Sequence, residues 1–265
     1  MQFYHHPLSL QSQQARMALE EKGLDYWDYS INPLKARNLD AEFFREHPNG
    51  RIPVLINGNR VTRGSLGIVQ YIDKFDKALG GDKFDCEKSL QWQRKVDAWD
   101  PKLFTLSATP PKYLQYHSRF KRQVLIARMA ENPDLANKYH AKLHDMHALE
   151  ELLKDTDAIQ ANREHLVGLL EDAEAELAAT NNYLAGESFS MADVMFSPLL
   201  ARIELMKQEK EMIHTRPHLM VYWAKVKTRE SYKVCIGKYS KGLGKINLLL
   251  SSVLNVVART MLKRY

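Results

Sequence analysis

The sequence has few cysteines, and this limits the kinds of fold and site that it can form. Its two cysteines, Cys86 and Cys235, are far apart and form neither a CxxC pair nor a zinc-binding spacing. A disulfide framework is therefore not expected, and the protein is expected to lie in a reducing compartment such as the cytoplasm. The first residues have neither a basic segment nor an apolar core, so they do not predict a signal peptide.

Long apolar runs are also missing. The most apolar stretch, residues 246–262, is interrupted by Asn247, Ser251, Asn255 and Arg259, and it is too polar for an ordinary membrane span. The formal net charge of +6 is scattered along the chain, so we do not expect nucleic acid as a partner. With 265 residues, 45% of them apolar, the chain is large enough for one large domain or two ordinary ones.

The first 76 residues alternate between strand and helix patterns. Strands are predicted at 2–5, 26–31, 53–56 and 60–62, and helices at 13–22, 40–46 and 66–75. Asn57-Gly58 predicts a tight hairpin between the last two strands, and the helix between the first two implies that these are parallel. The predicted N-terminal domain is therefore α/β, with a mixed four-stranded sheet and helices on its faces.

No strand pattern is found beyond the predicted linker at 77–87. An all-helical domain is predicted for 88–240, followed by an amphipathic helix within 241–265. Pro101 is expected to kink or end the first helix of this domain, predicted at 88–106. Further helices are predicted at 118–130, 134–154, 158–179, 191–210, 217–228 and 231–236.

A proline directly before an apolar strand is unusual, because proline has no N–H to donate to a sheet. Pro53 stands in this position, after Ile52. A cis Ile52–Pro53 bond leaves the N–H and C=O of Ile52 free to pair with an extended peptide. A trans proline that opens an edge strand is the alternative, since cis bonds are a minority even before proline.

Three local motifs carry a resemblance to a known family. They are Tyr4-His5-His6-Pro7-Leu8-Ser9-Leu10-Gln11-Ser12 with Arg16, then Asn49-Gly50-Arg51-Ile52-Pro53-Val54-Leu55, and Tyr183-Leu184-Ala185-Gly186-Glu187-Ser188-Phe189-Ser190-Met191-Ala192-Asp193. With the order of predicted elements, they resemble a cytosolic-type glutathione transferase with a serine-type active site. The resemblance implies a thioredoxin-like N-terminal domain and glutathione as co-substrate, without a metal.

Within this family, the chain is most similar to the plant tetrachlorohydroquinone dehalogenase-like class. That class shares a helical insertion, which falls here at about 110–166, and a C-terminal extension. The segments Val124-Leu125-Ile126-Ala127-Arg128-Met129-Ala130-Glu131 and Glu164-His165-Leu166-Val167 carry this narrower match. The class is named after a dehalogenase, but this name does not by itself imply that the protein removes chlorine from a substrate.

Ser9 is the candidate catalytic residue that the resemblance implies. A hydroxyl that donates to the glutathione sulfur favours the nucleophilic thiolate, and so does the positive end of a helix. Ser9 precedes the first predicted helix, where both effects act. The alternative is that Ser9 or Ser12 only caps that helix, and we assign the capping role to Ser12.

The remaining glutathione contacts follow from the same motifs. Ile52 is expected to pair with the cysteinyl backbone, a small case of strand addition that Pro53 makes possible. Ser65 is expected to bind the γ-glutamyl carboxylate at a helix N-terminus. Family members have an acidic residue where this chain has Gly64, so the γ-glutamyl end is expected to bind more weakly. Further glutathione-binding candidates are Leu10, Lys35, Asn38 and Arg51, whereas Arg37 and Lys35 are equally well explained as solvated loop residues.

Three other features admit a structural explanation. Trp99, Phe104, Tyr113 and Tyr116 either line a hydrophobic co-substrate site or belong to the core. The three histidines His140, His144 and His147 are better explained as a polar helix face than as a metal site. The capping box at Ser190 to Asp193 is expected to start a core helix and to have no chemical role.

The C-terminal stretch admits two explanations. Ile246, Leu249, Leu250, Val253, Val257 and Met261 share one helical face, with basic residues on both flanks. Such a helix either lies on an anionic membrane surface or packs on its own domain.

Two functions are therefore consistent with the sequence. The first is a glutathione transferase whose Ser9 stabilises a thiolate that attacks a small hydrophobic electrophile or reduces a peroxide. The second is a non-catalytic module of the same fold used for interaction or membrane attachment, with weakened glutathione binding. Expected partners are glutathione and the electrophile, with a homodimer and an anionic membrane surface (through 246–262) as further hypotheses. The expected location is cytoplasmic, in the second case peripheral at a membrane.

Overall fold

The computed structural model describes residues 1–47, 49–180, 182–240 and 242–262, and in the last range it describes side chains from residue 250 onward. The first part contains strands β1 (Gln2–His5), β2 (Trp27–Ser30), β3 (Val54–Asn57) and β4 (Arg60–Arg63). Helices α1 (Leu10–Glu21), α2 (Ala41–Glu46) and α3 (Ser65–Ile72) alternate with them, and two 3₁₀ turns, Pro33–Lys35 and Arg37–Leu39, follow β2.

The four strands form one mixed sheet in the order β2-β1-β3-β4. β1 and β2 are parallel, and β3 is antiparallel to both of its neighbours, β1 and β4. This confirms the predicted N-terminal domain. Phe3, Leu55, Ile68 and Met17 are buried between the sheet and the helices that flank it.

The helical part of the chain begins with α4 (Cys86–Asp97) and α5 (Pro101–Ser107). Pro101 occupies the first turn of α5, where its missing N–H costs nothing, so it ends the predicted long helix as expected. The next helices are α6 (Pro111–Glu131), α7 (Ala136–Leu152), α8 (Thr156–Thr180), α9 (Met191–Leu205), α10 (Glu209–Met212) and α11 (Pro217–Thr228). The prediction of one helix over 191–210 was wrong, because Lys207 takes a left-handed conformation with φ +59° and breaks it.

The chain ends in short helical segments and one long helix. These are α12 (Glu230–Tyr232), a π-helical turn (Lys233–Gly237), α13 (Lys238–Ser240) and α14 (Gly242–Met261). None of the described helices combines the length and the apolar character needed to cross a bilayer.

The central helix of the helical part is α9, which is buried along its whole length. Its capping box holds Asp193, which accepts hydrogen bonds from the main-chain N–H groups of Ser190 (2.9 Å) and Leu184 (3.1 Å) and from the Tyr222 hydroxyl (3.1 Å). Burial raises the pKa of Asp193 to about 6, while these hydrogen bonds oppose the rise. The predicted structural role of this motif fits these contacts.

The insertion packs on the N-terminal domain rather than extending into solvent. Tyr139 of α7 stacks on Phe44 with ring centroids 4.3 Å apart, and its hydroxyl donates to the main-chain oxygen of Leu39 at 2.9 Å. Arg128 of α6 forms an ion pair of 3.0 Å with Asp40. A second hydrophobic cluster therefore joins α6 and α7 to the segment from Ala36 to Phe44.

Candidate functional site

The sheet topology brings the four predicted site segments to one edge. β1 and β2 end at His5 and Ser30, which are aligned in the parallel pair. β3 begins at Val54, which lies opposite Tyr4 of β1 and opposite Arg63, the last residue of β4. The segments that carry Ser9, Lys35 and Asn38, Ile52 and Pro53, and Gly64 and Ser65 therefore all start or end at this edge.

Ser9 is the N-cap residue of α1. Its Oγ accepts a hydrogen bond from the N–H of Ser12 at 3.3 Å, and the side chain is half-buried. A hydroxyl oxygen that accepts a hydrogen bond keeps its own proton for donation. Ser9 can therefore cap the helix and donate to an anion at the helix N-terminus at the same time.

The assignment of the cap to Ser12 was wrong. Ser12 lies inside the first turn of α1 and is buried, and its hydroxyl accepts a hydrogen bond from the main-chain N–H of His6 at 3.3 Å. The reason is that α1 begins at Leu10, three residues earlier than predicted, so Ser9 takes the extended N-cap conformation instead. Leu10 is the buried first residue of the helix.

The Ile52–Pro53 peptide bond is cis. Within the described residues, no hydrogen bond reaches the N–H or the C=O of Ile52, whereas the carbonyl of Pro53 accepts from the N–H of Gly64 at 3.1 Å. This last bond ties the start of β3 to the start of α3. Ile52 thus presents an unpaired backbone unit at the sheet edge.

Gly64 and Ser65 lie at the N-terminus of α3. The Ser65 side chain is buried, and its Oγ has no hydrogen-bond partner within the described part of the chain. Gly64 has φ +77°, and a Cβ placed on it would meet no atom within 4 Å. The space beside Gly64 is thus open, and no carboxylate fills it from this position.

The three polar candidates in the loop after β2, which are Lys35, Arg37 and Asn38, lie in different environments. Asn38 is buried and donates from Nδ2 to the main-chain oxygen of Gly50 at 2.8 Å, while its Oδ1 has no partner among the described residues. Lys35 is half-buried, and Arg37 is exposed and paired with Asp40 at 3.1 Å. Arg37 therefore fits the solvated-loop explanation, and Arg51 lies exposed next to Ile52.

His6 is a buried residue beside Ser9 that the sequence did not single out. Burial, together with the nearby His5 and Lys35, lowers the pKa of His6 to about 4, so the imidazole is neutral at neutral pH. The N–H of Leu8 donates to its Nδ1 at 3.4 Å, which places the ring proton on Nε2. Nε2 has no partner in the described ranges. In the sequence, the only signal for a role of His6 was its position before Pro7 in the first motif.

Arg202 of α9 joins the Ser9 loop to the helical part. It donates to the main-chain oxygen of Leu8 at 2.6 Å and to Thr105 Oγ1 of α5 at 2.9 Å. Burial without an acidic partner lowers its pKa to about 10, so it stays charged at neutral pH. Local sequence shows no sign of this link, because Leu8 and Arg202 are 194 residues apart.

The aromatic candidates divide into two groups. Trp99 and Phe104 are buried in the main core, whereas Tyr113 and Tyr116 are exposed at the start of α6. The first two are therefore core residues. The three histidines His140, His144 and His147 are exposed, and no group of three side chains suited to holding a metal ion occurs within the described residues.

The C-terminal helix packs on the N-terminal domain and the insertion with the side that carries Ser252, Val256 and Arg259. Asn32 donates to Ser252 Oγ at 3.0 Å, and Arg259 donates to the main-chain oxygen of Lys35 at 3.0 Å. Ser252 is 3% exposed, whereas Val253 and Leu254 are 58% and 59% exposed. The described part of the predicted apolar face thus faces outward, including Leu250 and Met261. The side chains of Ile246, Asn247 and Leu249 and the flanking Lys241, Lys245, Lys263 and Arg264 lie outside the described residues.

Known proteins with a similar sequence and architecture identify the family of this chain. The family model described as glutathione S-transferase, N-terminal domain, matches residues 3–77, and the C-terminal domain model of the same family matches residues 156–222. A protein named glutathione S-transferase TCHQD from Arabidopsis thaliana is 43% identical over 267 aligned positions, which cover 100% of both chains. The chain belongs to the glutathione S-transferase family.

Other relatives agree with this assignment. Tetrachloro-P-hydroquinone reductive dehalogenase from Sphingobium chlorophenolicum is 27% identical to this transferase and covers 87% of this chain and 93% of its own. The structure of Gtt2 from Saccharomyces cerevisiae has a TM-score of 0.62 at 20% identity and covers 89% of this chain and 100% of its own.

A transferase structure from Methylobacillus flagellatus with GSH bound has a TM-score of 0.60 at 20% identity and covers 89% of this chain and 98% of its own. These structural likenesses show a shared fold. The family uses glutathione as co-substrate, which confirms that expectation.

Proposed function

We propose that this transferase is an enzyme with a serine-type site, in which Ser9 stabilises the glutathione thiolate for attack on a small hydrophobic electrophile or for reduction of a peroxide. The observation that carries the proposal is the position of the Ser9 hydroxyl. It caps α1 with its lone pair and keeps its proton for an anion at the same sheet edge as Ile52.

The chemistry follows from the acidity of the thiol. A thiol with a pKa of about 8.5 is mostly protonated at neutral pH, and each unit by which the site lowers that pKa corresponds to about 1.4 kcal/mol. The Ser9 hydroxyl and the N-terminus of α1 both favour the anion. The thiolate then attacks the electrophilic carbon, a carbon–sulfur bond forms, the leaving group departs as an anion, and the thiol proton has passed to solvent.

The tripeptide would be held along the sheet edge. The N–H and C=O of Ile52, exposed by Pro53, pair with the cysteinyl unit, and the unpartnered Ser65 hydroxyl receives the γ-glutamyl carboxylate. Lys35 and Asn38 receive the glycyl carboxylate, with Leu10 and Arg51 bordering the peptide. Because Gly64 offers no charge to the γ-glutamyl ammonium, we expect modest affinity.

A comparison of Ser9→Ala with Ser9→Thr tests the catalytic role. Both are assayed for turnover of an aryl halide, for retention on immobilised glutathione, and for the pKa of the bound thiol, followed by its ultraviolet absorbance. Ser9→Ala is expected to lower turnover by about ten- to a hundredfold and to raise the thiol pKa, since one hydrogen bond to the anion is lost. Ser9→Thr keeps the hydroxyl and is expected to retain much of the activity.

The same assays separate the two functions. Equal turnover by wild type and Ser9→Ala would show that Ser9 is not the activating residue. If the wild type shows neither turnover nor retention on glutathione, the non-catalytic module is the better description. Circular dichroism checks that each variant is folded, because loss of the N-cap costs about 1 kcal/mol.

We also propose that α14 attaches the protein to an anionic membrane surface. The observation that favours this is the outward apolar side of the helix, with Val253 and Leu254 exposed while Ser252 packs inward. An amphipathic helix binds a membrane through buried apolar area and basic residues. Flotation of the full chain with anionic vesicles is expected to weaken in a Val253→Ser/Leu254→Ser variant and to persist in Ser251→Ala. Equal flotation of all three proteins would contradict the proposal.

A further inference from the structure

Three lysines from three different helices lie close enough for their charges to act on one another. They are Lys102 of α5, Lys121 of α6 and Lys142 of α7, and the last donates from Nζ to the main-chain oxygen of Asn49 at 2.6 Å. That bond places the end of one lysine two residues from Arg51 and three from Ile52. The helical insertion thus brings positive charge directly to the border of the glutathione site.

The other two lysines are held near the same place by contacts of their own helices. Lys121 lies one turn from His117, whose Nε2 is 3.3 Å from the main-chain oxygen of Leu34. Lys102 lies one turn from Thr105, which Arg202 connects to the Ser9 loop. The charge of Arg51 acts on both Lys102 and Lys142, so the cluster lies on the helical side of the segment at Arg51.

The electrostatics show that the lysines interact with one another. Burial, followed by the charges of Lys102 and Lys142, lowers the pKa of Lys121 to about 7. Burial and Lys102 lower the pKa of Lys142 to about 8, with Asp145 opposing. Bringing like charges together in this way is unfavourable unless an anion is bound among them.

Neighbouring cations of the insertion form ion pairs, whereas the charges of Asp100 and Asp145 act on Lys102 and Lys142 without direct ion pairing among the described residues. Arg122 pairs with Glu150 at 3.1 Å, and Arg128 pairs with Asp40 at 3.0 Å. In the part of the chain that the structure describes, Lys102, Lys121 and Lys142 form no ion pair. The carboxylate nearest in sequence to Lys102 is Asp100, and its Oδ1 is engaged in capping α5 through the N–H groups of Lys102 and Leu103.

We propose that Lys102, Lys121 and Lys142 bind an acidic group, a carboxylate or a phenolate, on the electrophilic co-substrate. The inference rests on the proposed transferase function and narrows its substrate class. With the peptide co-substrate along the backbone of Ile52, as proposed above, the second substrate would lie on the side of the cleft that the helical part forms. An ammonium that pairs with a carboxylate forms a charge-assisted hydrogen bond, one of the stronger kinds in proteins.

Matched electrophiles test this site. 4-Chloro-3-nitrobenzoate and 4-chloro-3-nitrobenzamide have the same reacting carbon and leaving group, but only the first is an anion. In both, the glutathione sulfur bonds to the ring carbon, the carbon–chlorine bond breaks, and chloride leaves. We expect the wild type to have a higher kcat/KM for the benzoate than for the benzamide, and Lys121→Met to lower that ratio about tenfold.

The matched control is Lys210→Met, which removes an exposed lysine of α10 that is not among the charges acting on Lys121 or Lys142, and it is expected to leave the ratio as it is in the wild type. An unchanged ratio in Lys121→Met would overturn the inference. So would a rise in the KM for glutathione with both electrophiles, because the lysines would then bind the tripeptide.

Direct binding separates failure of this inference from failure of the transferase function. If the wild type turns over neither compound and is not retained on immobilised glutathione, the transferase proposal fails, and the benzoate is then titrated calorimetrically into wild type and Lys121→Met. Weaker binding by the variant alone supports an anion site. Equal binding by both, or binding by neither, rejects it.

Discussion

Arg202 donates a hydrogen bond of 2.6 Å to the main-chain oxygen of Leu8, the residue that precedes Ser9. A side chain of the central helix α9 thus holds the loop of the proposed catalytic serine. The same guanidinium reaches Thr105 of α5, so the loop and the helical wall of the cleft are fixed by one buried charge. This relation makes Arg202 a positioning residue for Ser9.

Replacement of Arg202 by methionine is expected to affect stability and activity together. Loss of two buried hydrogen bonds from a charged group lowers the free energy of unfolding by about 2–4 kcal/mol. Release of Leu8 also moves Ser9, so kcat/KM should fall and the pKa of the bound thiol should rise. Denaturant unfolding, steady-state kinetics and thiol absorbance measure these three effects.

The control for this change is Arg163→Met, which removes an arginine that pairs with Gln208 and Glu211 away from the Ser9 loop. It is expected to leave the thiol pKa unaltered. If Arg202→Met is less stable but has the thiol pKa of the wild type, Arg202 has a structural role only.

Gly64 offers a test of the proposal that the γ-glutamyl end of glutathione is bound weakly. Gly64→Glu supplies the missing carboxylate, and the open space beside the glycine accommodates a side chain. We expect the KM for glutathione to fall about fivefold, because an ion pair that contributes about 1 kcal/mol to binding changes the affinity by about that factor. Because φ is +77° and ψ is 154°, any side chain here also costs about 1–3 kcal/mol of stability.

Gly64→Ala separates the two effects. It carries the same backbone strain without the charge, so its stability should match that of Gly64→Glu while its KM for glutathione should not fall. Equal KM values for the two variants would mean that charge at this position does not reach the tripeptide.

Asp193 is expected to be essential for the helical part and unimportant for chemistry. Asp193→Ala leaves the N–H groups of Leu184 and Ser190 and the Tyr222 hydroxyl without their acceptor, which should lower the free energy of unfolding by about 3 kcal/mol. Asp172→Ala, which removes an exposed ion pair with Lys95, should cost less than about 1 kcal/mol. Chemical denaturation compares the two, and similar losses would contradict this reading.

The raised pKa of Asp193 predicts that the free energy of unfolding depends on pH. Burial raises the pKa of Asp193 to about 6 from an unfolded value of 3.8, so between these values the folded state holds more protons than the unfolded state. The contribution of this carboxyl to stability is therefore largest below pH 3.8 and falls as the pH rises toward 6. Relative to Asp193→Asn, the wild type should lose stability over this range, as measured by denaturation at several pH values.

Binding of an acidic aryl ligand should weaken as the pH rises. Lys121, with its pKa lowered to about 7, is influenced by the charges of Lys102 and Lys142 and acts on His117, and it loses its charge at a lower pH than Lys142, whose pKa is lowered to about 8. Affinity for 4-chloro-3-nitrobenzoate should fall between pH 6 and pH 9, with proton uptake on binding near pH 7. Calorimetry in buffers of different ionisation enthalpy measures both, and the benzamide should show neither effect.

Local signals were enough for much of the N-terminal domain. The Asn57-Gly58 hairpin and the helix between β1 and β2 predict the direction of two strand pairs, since each signal acts over a short stretch of chain. The antiparallel pairing of β1 with β3, which sets the strand order, was not predicted. The start of α1 was misplaced by three residues, because both Ser9 and Ser12 are good capping residues and sequence does not choose between them. The burial of Trp99 and Phe104 was likewise open until packing was known.

The sequence by itself determined the strands, the turns, the capping box and the residues that resemble a glutathione site, because these depend on neighbours in the chain. Only the tertiary structure decided how the insertion docks on Phe44, which side of α14 faces outward and which cations meet at the cleft. Those outcomes depend on contacts between different elements, many of them far apart in the chain, such as Tyr139 with Leu39 and Arg202 with Leu8. Helix periodicity shows that α14 has an apolar side, but the contacts of Ser252, Val256 and Arg259 decide which side packs inward.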